Sequence, residues 1–113
     1  MKRSILIFIF VASICNVFSQ TQSEMNQSAS VEYQKADKEL NRVYGLLTKK
    51  IDATQKSALI EAEKAWLKYR DLHCKFECMD NEGGSMYPML YSGCMTELTN
   101  KRTLELKTIL DSK

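Results

Sequence analysis

Breakers of regular structure are scarce in this chain: one proline and four glycines among 113 residues. With no glycine repeat and no proline-rich tract, collagenous and disordered chains are both excluded. Period-2 alternation of apolar and polar residues is absent, which removes a sheet from the expected fold, and no internal repeat or low-complexity tract is visible. Histidine occurs once, at His73, so no pair of imidazoles can be assembled within one chain. An excess of one charge sign is lacking as well. The 16 Lys plus Arg face 14 Asp plus Glu, and two of the basic residues, Lys2 and Arg3, sit at the extreme N-terminus. Without those two the balance is 14 against 14. No basic stripe is left to contact phosphates, which argues against a nucleic-acid binder.

What is present begins with a three-part leader. Lys2 and Arg3 precede an apolar run from Ile5 to Phe18, followed by small and polar residues. The run is about 14 residues, short of the roughly 20 that a spanning helix needs. This is the layout of a secretory signal peptide. Val17-Phe18-Ser19 suits cleavage before Gln20, so residues 1–19 are expected to be a signal peptide and residues 20–113 a single exported domain. Cys15 raises lipidation as an alternative, but bulky Ile14 fits a lipoprotein signal poorly.

Three helical patterns follow. Ala29, Tyr33, Ala36, Leu40, Val43 and Leu47 recur at alternating three- and four-residue steps, the rhythm of one apolar helix face. Thr21-Gln22-Ser23-Glu24 reads as a capping box at its start. The second stripe runs Leu59, Ala62, Trp66, Tyr69, His73 and Phe76, after a start signal at Asp52 and Gln55. The third runs Tyr91, Met95, Leu98, Arg102, Leu106 and Ile109, after the break Asp80-Asn81-Glu82-Gly83-Gly84-Ser85. There the paired glycines permit positive φ, Ser85 is placed to cap, and Pro88 suits a first helical turn. Similar lengths and short connections predict an all-α fold, three long helices in an up-down-up bundle or helical hairpin arrangement.

Cys74, Cys78 and Cys94 remain after the leader, with His73 beside the first. Together they make a conceivable tetrahedral zinc set, but an exported chain meets an oxidising compartment, where paired thiols form disulfides. Antiparallel helices joined by a loop centred near residue 82 or 83 bring positions with that midpoint together. Cys74 and Cys94 fit this register better than Cys78 and Cys94. A Cys74–Cys94 staple is therefore expected, with Cys78 left free or open to intermolecular pairing.

Asp37 and Asn41 on the first helix, Arg70 and Asp71 on the second and Arg102 on the third form a candidate polar network. A carboxylate active site is the sharper reading of this set; a buried network that fixes helix register is the plainer one. No nucleophile, metal triad or glycine-rich phosphate loop accompanies the carboxylates, so no enzyme and no cofactor is expected. Trp66 and the helically spaced tyrosines read as core. Glu77, Asp80 and Glu82, with Ser85 and Tyr87, cluster at the second break, where solvated loop charge competes with a contact for a basic partner.

Glu24-Met25-Asn26, Tyr33, Ala36-Asp37, Glu39-Leu40-Asn41, Tyr44, Ala65-Trp66-Leu67, Tyr69-Arg70-Asp71, Cys74, Gly83-Gly84-Ser85, Cys94, Leu98-Thr99 and Arg102 occur in order across nearly all of residues 21–110. In this order and spacing the chain resembles the LprI-like lysozyme inhibitors, small exported bacterial helical proteins. The resemblance implies an α-helical envelope or secreted module that binds and blocks a lysozyme-type muramidase. The alternative is a non-catalytic structural or interaction module of the envelope. Where the family commonly has a cysteine soon after Met-Asn, this chain has Ser28, which would leave Cys78 without a mate.

Overall fold

In the computed structural model, which describes residues 21–113, three helices run in order: α1 (Lys2–Thr48), α2 (Ala53–Glu77) and α3 (Tyr87–Asp111). One short 3-10 helix, Met79–Asn81, lies between α2 and α3. Among the described residues there is no strand, and no helix is long and apolar enough to cross a membrane. The cleavage site before Gln20 and the lipidation alternative at Cys15 fall outside the described residues.

α1 and α3 run parallel and form the main contact. Asn26 donates to the Ser85 carbonyl at one end (3.1 Å), and Lys107 pairs with Glu39 towards the other (3.4 Å). Along this contact, Ala36, Leu40, Val43 and Leu47 of α1 are buried, as are Met95, Thr99, Thr103 and Leu106 of α3. Leu40, Val43, Leu47 and Leu106 form one cluster, with Tyr44, Ile51, Leu59, Trp66 and Leu110 against it. The α1 stripe is the one its spacing predicts. On α3 the buried line differs: Ile109 is exposed, while Thr99 and Thr103 are buried. The Thr103 hydroxyl donates to the Thr99 carbonyl one turn back (2.9 Å), so its polar atom is satisfied within the helix. A threonine bonded in this way packs as a small residue and lets the two helices approach.

α2 returns antiparallel after a tight connection. Asp52 caps it: its side chain accepts from the Gln55 backbone N–H (2.8 Å), and the Gln55 side chain accepts from the Asp52 N–H (3.3 Å). This is the capping box that Asp52 and Gln55 predict. The other two expected caps are absent. Thr21-Gln22-Ser23-Glu24 lies inside α1, where nothing in the sequence interrupts helical propagation. Met86, not Ser85, precedes the first residue of α3, and it makes no side-chain cap bond. Pro88 does occupy the first turn.

The largest departure is on α2. Ala62, Tyr69 and Phe76, read from spacing as core, face solvent. Its inward side keeps the expected Trp66 but otherwise carries Glu63, Arg70 and Cys74, with buried Cys78 just beyond its end. Cys74 and Cys94 are joined by a disulfide with their Cα atoms 5.6 Å apart, as the loop register predicts. Cys78 is free but buried, so it is not open to a partner, and burial, with Glu77 adding to it, pushes its thiol pKa up. With Cys74 and Cys94 covalently paired, the zinc reading is overturned.

Candidate functional site

The five residues of the expected polar network do not form one cluster. They divide into two arginine centres, one above the other along α2, with the Trp66 ring between them.

Arg70 is buried where the three helices meet. Its guanidinium donates to the Thr99 hydroxyl on α3 (Nη1, 3.3 Å) and to the adjacent Asp71 carboxylate (Nε, 3.0 Å). It lies 3.9 Å from Asp37 on α1. Its Cζ sits 5.5 Å from the Tyr33 ring centroid and 5.2 Å from that of Trp66. An arginine tolerates this position because its charge is delocalised and weakly hydrated, and its flat faces stack on aromatic rings. Burial raises the Tyr33 pKa, with Arg70 pulling the other way, and burial likewise raises that of Tyr91. Asn41 is peripheral: it donates only to Asp37, at 3.5 Å and in solvent.

Arg102 forms the second centre, with its Cζ 5.9 Å from the Trp66 centroid. It binds Glu63 of α2 through Nη2 and Nε (3.2 and 3.3 Å) and Glu105 of its own helix (2.9 Å). Burial opposes its charge, but Glu105 and Glu63 outweigh this and hold its pKa above the ordinary arginine value. The second oxygen of Glu63 is buried without a hydrogen-bond partner. Glu63 also lines a cavity of about 300 Å³ between α1 and α2, with Leu40, Asn41, Tyr44, Ile60 and Leu67. Sequence reasoning missed Glu63, Thr99 and Glu105. The available signal was that Glu63, Trp66, Arg70 and Cys74 share one helix face at three- and four-residue steps.

The second break holds the other candidate residues. Backbone bonds Asn81 N–H to Cys78 O (3.0 Å), Glu82 N–H to Met79 O (3.1 Å) and Gly84 N–H to Asn81 O (3.0 Å) wind it tightly. Gly83 has φ of 80°, the left-handed region that favours glycine, and a Cβ on Gly84 would crowd the Asn81 carbonyl oxygen at 3.1 Å. The Cys74–Cys94 bond holds the base of the turn, and the Asn26 amide ties its far side to α1. Asp80, Glu82 and Ser85 project into solvent from this framework, and Tyr87 is half-buried and stacked on Tyr91 (5.8 Å between centroids). Glu77 stands apart from them. It belongs to the last turn of α2, with its carboxylate 3.4 Å from His73 and 3.1 Å from the Cys94 sulfur.

The arrangement therefore has a stiff core held by two fixed cations and an exposed acidic turn. Residues 15–106 match the family model described as lysozyme inhibitor LprI. An uncharacterized protein of Rhizobium meliloti (strain 1021) is 41% identical over 105 residues, spanning 81% of this chain and 76% of the relative. The fold is also that of a crystal structure of a DUF1311 family protein from Pseudomonas putida KT2440. That likeness has a TM-score of 0.75 at 24% identity, over 80% of this chain and 94% of the other. The chain belongs to the lysozyme inhibitor LprI family.

Proposed function

We propose that this protein is an exported inhibitor of lysozyme-type muramidases, acting by occluding the glycan cleft and not by chemistry. Residues 1–19 are its signal peptide and residues 20–113 the functional domain. Membership of the lysozyme inhibitor LprI family is the observation that carries this reading. The contact we assign is the turn bearing Asp80, Glu82, Ser85 and Tyr87, with Glu77 at its base on the last turn of α2. Muramidases cut glycans with a pair of carboxylates in an open groove, and a protruding turn fits such a groove. Stiffness supports the assignment, because a loop already fixed by its glycines, its backbone bonds and a disulfide loses little freedom on binding. Asp80 and Glu82 would steer encounter with a cationic enzyme, an effect that salt screens beyond a Debye length of about 10 Å at 0.1 M.

The test is lysis of bacterial cell walls followed by turbidity, with several lysozyme classes and a range of salt. Inhibition that weakens when Glu77, Asp80 and Glu82 are replaced by neutral residues supports both function and site. Inhibition that survives the replacement keeps the function and rejects the turn. Neither inhibition nor binding at micromolar concentration would leave the chain an envelope interaction module.

A further inference from the structure

The solvent side of α2 carries an apolar seam that the fold leaves uncovered. Ala58, Ala62, Ala65, Tyr69, Leu72 and Phe76 are all exposed and follow one another at strictly alternating steps of four and three residues. The three large ones are 55% (Tyr69), 57% (Leu72) and 71% (Phe76) exposed. Alternating steps of this kind are the spacing of a coiled-coil seam, about 28 Å long over 19 residues at 1.5 Å each. A contiguous apolar strip of this kind marks an interaction surface.

We infer that this seam pairs with the same seam of a second copy of the chain, antiparallel and about a two-fold axis. Size complementarity selects this occupant and this direction. The first half of the seam is small, with Ala58, Ala62 and Ala65, and the second half is large, with Tyr69, Leu72 and Phe76. An antiparallel copy sets Ala58 against Phe76, Ala62 against Leu72 and Ala65 against Tyr69, in both senses at once, so bulk meets space at every layer. A parallel copy would set Phe76 on Phe76 at one end and alanine on alanine at the other, leaving a gap. Charge agrees. Glu61 and Lys75 lie on the same flank of the seam two heptads apart, and the antiparallel register places each beside the other's counterpart, twice per dimer. Lys68 meets its own copy near the axis, where its long stem can carry the ammonium into water. Such a contact is isologous and closes at two chains. It leaves the turn at residues 77–87 on the ends of the pair, so it stands or falls independently of muramidase binding.

Sedimentation equilibrium of the protein as the cell produces it, over a range of concentrations, tests the inference. The expected result is a dimer that Phe76→Glu converts to a monomer with unchanged helix content and an intact Cys74–Cys94 bond. Reversing one flank charge, Glu61→Lys or Lys75→Glu, should raise the dimer dissociation constant about threefold to tenfold through the two symmetry-related pairs. The double variant Glu61→Lys with Lys75→Glu should restore it. A monomer at about 100 µM, a dimer indifferent to Phe76→Glu, or a double variant no tighter than the single ones would overturn the proposal.

Discussion

α1 and α3 meet through small and aliphatic side chains, whereas α2 is held to them by arginines, a tryptophan and a disulfide. The first contact is dry: Ala36, Leu40, Val43 and Leu47 against Met95, Thr99, Thr103 and Leu106, with the Thr103 hydroxyl bonded within its own helix and that of Thr99 turned to Arg70. In the second, Arg70 of α2 reaches Thr99 of α3 and Asp37 of α1, while Arg102 of α3 reaches Glu63 of α2, both beside Trp66. An aliphatic interface is stabilised by the area it removes from water, at about 25 cal/mol per Å². An arginine interface depends on every charge keeping its partner, and the loss of one partner strands the other. The two regions should therefore fail in different ways.

The largest effect is expected in the dry contact. Leu106→Ala, at a fully buried position, should cost about 4 kcal/mol in urea unfolding, since the cavity lies between two closely packed helices. Removing the staple comes next. Cys94→Ser opens a loop with a sequence separation of 20 and should cost about 3 kcal/mol in the chain-entropy model. Arg102→Ala leaves the mostly buried Glu63 carboxylate without its cation, and a loss of about 2–3 kcal/mol is expected. The double variant Arg102→Ala with Glu63→Ala should lose less than the sum of the single ones, which a double-mutant cycle will read.

Asp37→Ala marks the soft edge of the arginine region. Its side chain is 42% exposed and its oxygen is 3.9 Å from Arg70, so a loss below about 1 kcal/mol is expected. The smallest effect belongs to Glu39, on the solvent margin of the dry contact. Arg42, with Lys107 beside it, holds the Glu39 pKa at about 2, below its ordinary 4.5. A depressed folded-state pKa stabilises the fold above the unfolded value and loses that stabilisation as pH falls through the folded one. Stability should therefore decline from about pH 4.5 down to about pH 2, and Glu39→Gln should flatten that limb in urea midpoints measured against pH, less visibly in high salt.

The two regions also differ in how far the sequence discloses them. The α1 stripe is legible because one periodic apolar face meets one neighbour. The Cys74–Cys94 staple is legible because a short antiparallel connection leaves little freedom of register. Thr99 and Thr103 are hidden because both look polar in sequence, whereas in place the Thr103 hydroxyl is bonded within its own helix and that of Thr99 accepts from Arg70. α2 misleads for a different reason. Its residues offer two faces at the same three- and four-residue rhythm, and hydrophobicity alone selects the outer one, with Ala62, Tyr69 and Phe76. The inner face is chosen by Arg70 stacking on Trp66 and Tyr33 and by the Glu63–Arg102 pair, whose partners are 39 residues apart in sequence. In the candidate partner-binding turn the glycines are legible because φ of 80° at Gly83 and the close approach at Gly84 are local demands. The separation of Glu77 from Asp80 and Glu82 is not, because it depends on where α2 ends.

The orientation of α2 underlies both the account of its attachment and the seam it presents to solvent. Isotope-filtered NOE spectroscopy, which separates contacts within one chain from contacts between chains, tests it most directly. Trp66 indole protons should show intrachain contacts to the Arg70 and Arg102 side chains, while the rings of Tyr69 and Phe76 show none to α1 or α3. Intrachain contacts from the Phe76 ring to Met95 or Leu106, with Trp66 free of Arg70 and Arg102, would contradict the account.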